Sequence, residues 1–124
     1  MSTLKVDTIQ DQAGGNASTP DEIYSGRAKA WVNFNGTGTV AIRADFNVSS
    51  ITDNGTGVYT VNFSNSLGNT SYTVAGAAGE DQDNGGNRMF GIRLVAATSC
   101  GVIGFTYSGS AEDLARMCAA FFSS

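Results

Sequence analysis

The chain has 124 residues, a formal net charge of −4, 15% charged residues and no histidine. Its few Lys and Arg are scattered, which argues against nucleic acid or an anionic membrane as partner, since both demand clustered cations. The missing histidine removes the commonest general base and metal ligand, and with them any Ser-His or Cys-His dyad.

The length suits one domain and a short arm, divided as 1–26 and 27–124. So small a chain buries only roughly 60–70% of its surface, so oligomerisation would help it. Met1 through Gln10 shows no apolar run of the signal-peptide kind. No stretch approaches the roughly 18 apolar residues of a membrane helix, so no membrane insertion is expected. The two cysteines, Cys100 and Cys118, read as buried reduced thiols, the alternative being a mutual disulfide.

In chain order, Leu4–Gln10 is a short extended candidate, and Gln12–Ser18, with Gly14 and Gly15, reads as a flexible run. Ser18-Thr19-Pro20-Asp21-Glu22 predicts a helix start, with a hydroxyl N-cap at Thr19, proline at the first helical position and acids in the first turn. Gly26 stops that helix after about one turn.

Period two then takes over. Arg27–Phe34 places Ala28, Ala30, Val32 and Phe34 on one face and Arg27, Lys29, Trp31 and Asn33 on the other. Asn35-Gly36 predicts a hairpin into Thr39–Ala44. Asn47–Asp53 ends at a second Asn-Gly, and Val58–Ser64 follows, with Tyr59, Val61 and Phe63 sharing a face. Ser71–Ala77, Arg88–Ala97 and Cys100–Tyr107 continue the series. The segment Ser110–Ala120 also fits a helix by propensity, but the run Ala119–Phe122 and its all-β surroundings favour a last strand over Leu114–Phe122. About eight strands at roughly 10-residue spacing predict an antiparallel β-sandwich or small barrel.

Catalysis is not expected. Paired carboxylates for sugar hydrolysis would have to come from Asp45, Asp53, Glu80, Asp81, Asp83, Glu112 and Asp113, most of them in turns where Asp serves the backbone. The loop from Asp81 to Gly86 half-matches a calcium loop. Its twelfth position is Ile92 rather than a bidentate Glu, and flanking helices are missing. No metal and no cofactor are therefore expected. Gly36-Thr37-Gly38 and Gly55-Thr56-Gly57 read as turn glycines, since no phosphate-binding motif continues from them.

Trp31 breaks the simple pattern. It shares the polar face of its strand, and an outward indole marks an interface more often than idle surface; the alternative is that it covers the end of the sandwich. Tyr24, Phe46 and Phe90 raise the same question more weakly. Met117, Phe121 and Phe122 fit either core or subunit contact.

Two segments, Lys29–Arg43 (KAWVNFNGTGTVAIR) and Asn47–Phe63 (NVSSITDNGTGVYTVNF), together resemble a module of tail-fibre and virion proteins of tailed bacteriophages, especially of marine and cyanobacterial hosts. The opening LKVDTIQ is similar to the start of such proteins. The resemblance is clear over about Gly26–Phe63 and looser elsewhere. It implies an all-β homotrimer assembled in the host cytoplasm, found in the virion, and attached through its arm to other virion proteins of the tail, baseplate or capsid. On that reading Leu4, Val6 and Ile9 serve attachment, while Trp31, Phe121 and Phe122 are subunit contacts. The loops Asn65–Thr70 and Ala78–Asn87, with Asp81, Asp83 and Asn84, meet a host cell-surface glycan or protein. The departure is length: fibres with this module are often longer, with a shaft between arm and head. A short tail fibre and a capsid cement or decoration protein both remain open.

Overall fold

In the computed structural model, which describes residues 1–81 and 87–124, the chain is an all-β sandwich preceded by an arm and one short helix. The helix, α1 (Pro20–Gly26), starts where the sequence predicts. Thr19 Oγ1 accepts from Glu22 N, and Glu22 Oε2 accepts from Thr19 N at 2.8 Å. This reciprocal pair satisfies two of the donors that every helix start leaves free.

Eight strands follow among the described residues: β1 (Ala30–Asn35), β2 (Ala41–Phe46), β3 (Val48–Asp53), β4 (Val58–Phe63), β5 (Thr73–Gly79), β6 (Arg88–Ala96), β7 (Ser99–Thr106) and β8 (Arg116–Phe122). The ambiguous last segment is a strand. They form two four-stranded antiparallel sheets. Sheet I has the order β2-β1-β8-β5 and sheet II the order β3-β4-β7-β6. Both predicted Asn-Gly hairpins form: β1 pairs with β2, and β3 with β4. At the first tip Asn35 Oδ1 accepts from Thr37 N, a side-chain turn that substitutes for a backbone one.

Strict alternation on β1, β4 and β8 builds the core. Ala30, Val32 and Phe34 of β1 and Met117, Ala119 and Phe121 of β8 point inward from sheet I. They meet Tyr59, Val61 and Phe63 of β4 and Cys100 and Val102 of β7. The aromatic rings meet edge-on, as their charge distribution favours: Phe34 against Tyr59 at 5.1 Å and Phe63 against Phe121 at 4.9 Å between centroids. Tyr72 joins this second cluster, and its hydroxyl lies within 3.0 Å of the carbonyls of Ala96 and Ser99. That ties the crossover between β4 and β5 to the β6–β7 turn.

Three expectations need correction. Phe121 is fully buried inside its own sandwich, with no surface left for a neighbouring subunit. The register places it opposite Ala30 of β1 and Val74 of β5, on the inner face of sheet I. The segment read as flexible is folded locally: Asp11 Oδ1 accepts from Ala13 N and Gly15 N, Asp11 Oδ2 accepts from Asn16 Nδ2, and Ile9 bridges to Ser18. Leu4–Gln10 forms no strand beyond that bridge. The cysteines are both free, Cys100 buried and Cys118 half-buried, and they belong to different sheets. No helix among the described residues is long and apolar enough to cross a membrane.

Candidate functional site

The arm presents the first site. Leu4, Val6 and Ile9 line one cleft of about 480 Å³ with Pro20, Ile23 and Tyr24, and Lys5 and Arg27 stand at its margin. The turn around Asp11 and the cap at Thr19 fold the chain back so that the extended segment lies along α1. All five large apolar side chains remain exposed, Leu4 at 82%. None of α1 is buried. Ile23 is a member that sequence reading missed, because one aliphatic residue in a helix of seven residues carries no periodic signal.

The second site is the outer face of sheet I. Register places Trp31 beside Phe46 on β2 and Ala120 on β8, and Ala120 in turn beside Ala75 on β5. The next row runs Ala44, Asn33, Cys118 and Ala77. Small side chains thus floor a shallow hollow of about 350 Å³ beside the indole, which is 40% exposed. Trp31 stands on the outer face of an inner strand, near the start of β1. Phe122 lies on this outer face too, opposite Thr73, and is half-buried. Of the three predicted contact residues, the structure therefore brings Trp31 and Phe122 to one surface and withdraws Phe121.

A ring of charge closes one end of that face. Asp81 sits 2.9 Å from Arg43 and 2.7 Å from Arg116, while Arg43 Nη1 also donates to the Ala115 carbonyl. The Asp81 carboxylate is thus engaged by two guanidinium groups of its own chain. Asp83 and Asn84 lie outside the described residues. The other loop proposed for contact, Asn65–Thr70, is folded onto its neighbours: Asn65 N and Nδ2 both donate to Asn47 Oδ1.

The carboxylates considered for catalysis are spread over separate structural tasks. Asp113 accepts from Gly57 N at 2.7 Å and lies 2.8 Å from the Tyr59 hydroxyl, which is equally close to the Gly36 carbonyl. Burial first, then Asp113, pushes the Tyr59 phenol well above the ordinary tyrosine range. Gly57 has φ +71, and a Cβ there would lie 2.6 Å from Glu112 N and 2.7 Å from the Gly104 carbonyl. Only glycine fits so close a backbone crossing. Glu112 is 2.7 Å from Arg88 Nε, and Glu80 is 3.8 Å from Arg88 Nη2. The Nε–H does not aim along the shorter separation, so charge attraction carries it. Among the described residues no group of acidic and Cys side chains is placed to hold a metal ion.

A third cleft, of about 470 Å³, lies where α1 meets the end of the sandwich. Arg27, Lys29, Tyr24 and Phe46 line it with Asn47, Ser64, Asn65, Ser66, Leu67 and Ser123. Asn47 shapes it from the β2–β3 corner. With φ +56, it donates to the carbonyls of Lys29 and Asn65 while accepting from Asn65. Lys29 Nζ stands 3.9 Å from the centroid of the Tyr24 ring and donates to the Tyr24 and Arg27 carbonyls. Its ammonium is held below the usual lysine range, by partial burial first and by the Arg27 charge second.

Compared with protein-family models, with curated proteins and with solved structures, the chain matches none of them.

Proposed function

We propose that the protein is a structural component of a tailed-phage virion: a β-sandwich head joined to a particle through its N-terminal arm, working as a short trimeric tail fibre. The observation that carries this reading is the exposed apolar cleft of the arm. Leu4, Val6, Ile9, Ile23 and Tyr24 are gathered on one surface and left unburied. Gathering apolar groups at a water-exposed surface is costly unless another surface covers them. The outer face of sheet I, with Trp31 over its alanine floor, supports contact between copies: an apolar centre with a charged margin is the anatomy of a protein interface. Catalysis is no part of this reading.

A second reading, a capsid decoration protein, is favoured by one feature. Only residues 27–29 separate the end of α1 at Gly26 from β1 at Ala30, so the head sits directly on its anchor. A decoration protein needs no shaft.

The test is solution mass by light scattering for the full chain and for a chain beginning at Arg27. A full-length trimer supports the reading; its loss without the arm places the contacts between copies in the arm, and its persistence places them on the head, at the outer face of sheet I. A full-length monomer overturns the trimeric fibre. Purified protein mixed with empty heads or isolated tails then separates the two readings: a decoration protein co-sediments with heads, a fibre with tails.

A further inference from the structure

The cleft between α1 and the end of the sandwich differs in charge from the rest of the molecule. The chain carries 11 acidic and 7 basic residues. Yet Arg27 and Lys29 line this cleft and no Asp or Glu does. The ion pairs of the described residues engage Arg43, Arg88 and Arg116, and neither cleft cation reaches a carboxylate. Both cations instead lie against the Tyr24 ring, Arg27 with its guanidinium carbon 5.2 Å from the centroid. That contact holds an arginine in place without neutralising it.

The uncharged lining adds a second kind of chemistry. Ser64, Asn65 and Ser66 stand side by side along one wall, and the Phe46 ring, 47% exposed, forms another. The Ser64 hydroxyl, Asn65 Oδ1, the Tyr24 hydroxyl and the Arg27 guanidinium make no hydrogen bond to any other described residue. Hydroxyl and amide groups of this sort exchange hydrogen bonds with a polyol, and the fork of an arginine matches a carboxylate. A volume of about 470 Å³ falls within the roughly 300–1,000 Å³ of small-molecule sites. It is far more than an inorganic anion fills. The wall is rigid, because the double amide clamp between Asn47 and Asn65 fixes it before any ligand arrives.

We propose that this cleft binds a carboxylated sugar, with Arg27 pairing the carboxylate and Ser64 and Asn65 meeting the sugar hydroxyls. The assignment stands apart from the assembly role above, since it concerns the arm-proximal end of the head and requires no particular oligomer.

The test is an amide-resolved NMR titration of the full chain with glucuronate, galacturonate and N-acetylneuraminate. Glucose and galactose serve as neutral counterparts, and a tri-glutamate peptide and inorganic phosphate as other anions. At least one acidic sugar is expected to give saturable shifts at residues 24–29 and 64–66. The neutral sugars and the other anions are expected to bind about tenfold more weakly or worse, the size of effect for a charge-assisted hydrogen bond. Arg27→Gln lowers the affinity by a similar factor, and Ser64→Asp, which brings a carboxylate into the cleft, abolishes binding; both variants keep the wild-type unfolding midpoint. The proposal is overturned if no acidic sugar shifts these amides, if a neutral sugar, the peptide or phosphate binds as tightly, or if Arg27→Gln leaves the affinity unchanged. None of these outcomes alters the light-scattering mass, so failure here and failure of the assembly reading are read separately.

Discussion

The Phe90 ring on β6 lies so close to the backbone of Gly76 on β5 that a Cβ at Gly76 would sit 2.2 Å from ring atom Cε1. The two strands belong to different sheets, so this contact closes one long edge of the sandwich. Gly76→Ala therefore forces the ring aside, and overpacking of this kind costs about 1–3 kcal/mol. Urea unfolding of Gly76→Ala, Phe90→Leu and the double variant checks it: the double variant is expected to lose less than the sum of the singles, because the smaller side chain admits the methyl.

Trp31 and Phe121 should part company on mutation, although both are large aromatics on adjacent strands. Phe121→Ala opens a cavity in the core and is expected to cost about 3–5 kcal/mol. Trp31→Ala removes a half-exposed side chain on the outer face and should change stability of the isolated head by about 1 kcal/mol or less. If the outer face of sheet I joins copies of the chain, Trp31→Ala also lowers the mass found by light scattering. Thermal melts and mass together check both halves.

How much of this was legible in the sequence follows from where alternation is clean. On β1 and β4 every second residue is apolar, so parity alone assigns Trp31 outward and Tyr59 inward, as found. On β8 the run Ala119-Ala120-Phe121-Phe122 is apolar on both faces. Parity is silent there, and only pairing with Ala30 decides which phenylalanine enters the core. The strand β5 (TVAGAAG) carries no pattern at all, since its alanines serve both the core margin and the outer hollow. The helix cap was readable because Thr19, Pro20 and Glu22 are local. The clasp of Asp81 by Arg43 and Arg116, and the meeting of Arg27 with Ser64 and Asn65, join residues distant in sequence and exist only once the sheets have formed.

The arm should be thermodynamically separate from the head. The core cluster begins at Ala30, and no residue of α1 is buried. A chain beginning at Arg27 is expected to unfold cooperatively within about 1 kcal/mol of the full chain. Thr19→Ala, which breaks the capping box, costs about 1 kcal/mol locally. It should speed hydrogen exchange at residues 22–26 while leaving the head's midpoint unmoved.

Alkaline pH should unfold the head through its tyrosines. Burial is the first cause that raises the phenols of both Tyr59 and Tyr72 far above their ordinary range. A raised acid holds its proton more tightly folded than unfolded. The stability it contributes is complete below the unfolded tyrosine value, about 10, and is lost as pH rises beyond it. Urea midpoints are expected to hold steady up to that pH and then fall. In a spectrophotometric titration, two of the four tyrosines should ionise only together with loss of far-ultraviolet β signal. Tyr59→Phe should flatten part of the decline while lowering stability at neutral pH.

The pairing of β1 with β8 at the centre of sheet I has a consequence for how the chain comes off the ribosome. Sheet II is complete once β7 has emerged, but β1 must wait for β8, whose partner residues lie more than 80 positions later. Until then the hairpin of β1 and β2 lacks its central neighbour, and Phe34 has Tyr59 across from it but no Met117 beside it. The strand β8 thus acts as a keystone, and the slow, long-range closure typical of such topology waits until it has emerged. A nascent chain stalled before Arg116 would expose the apolar inner face of half the sandwich. The arm, which precedes the strands and is folded by its own local hydrogen bonds, would by then already be formed and free to meet a partner.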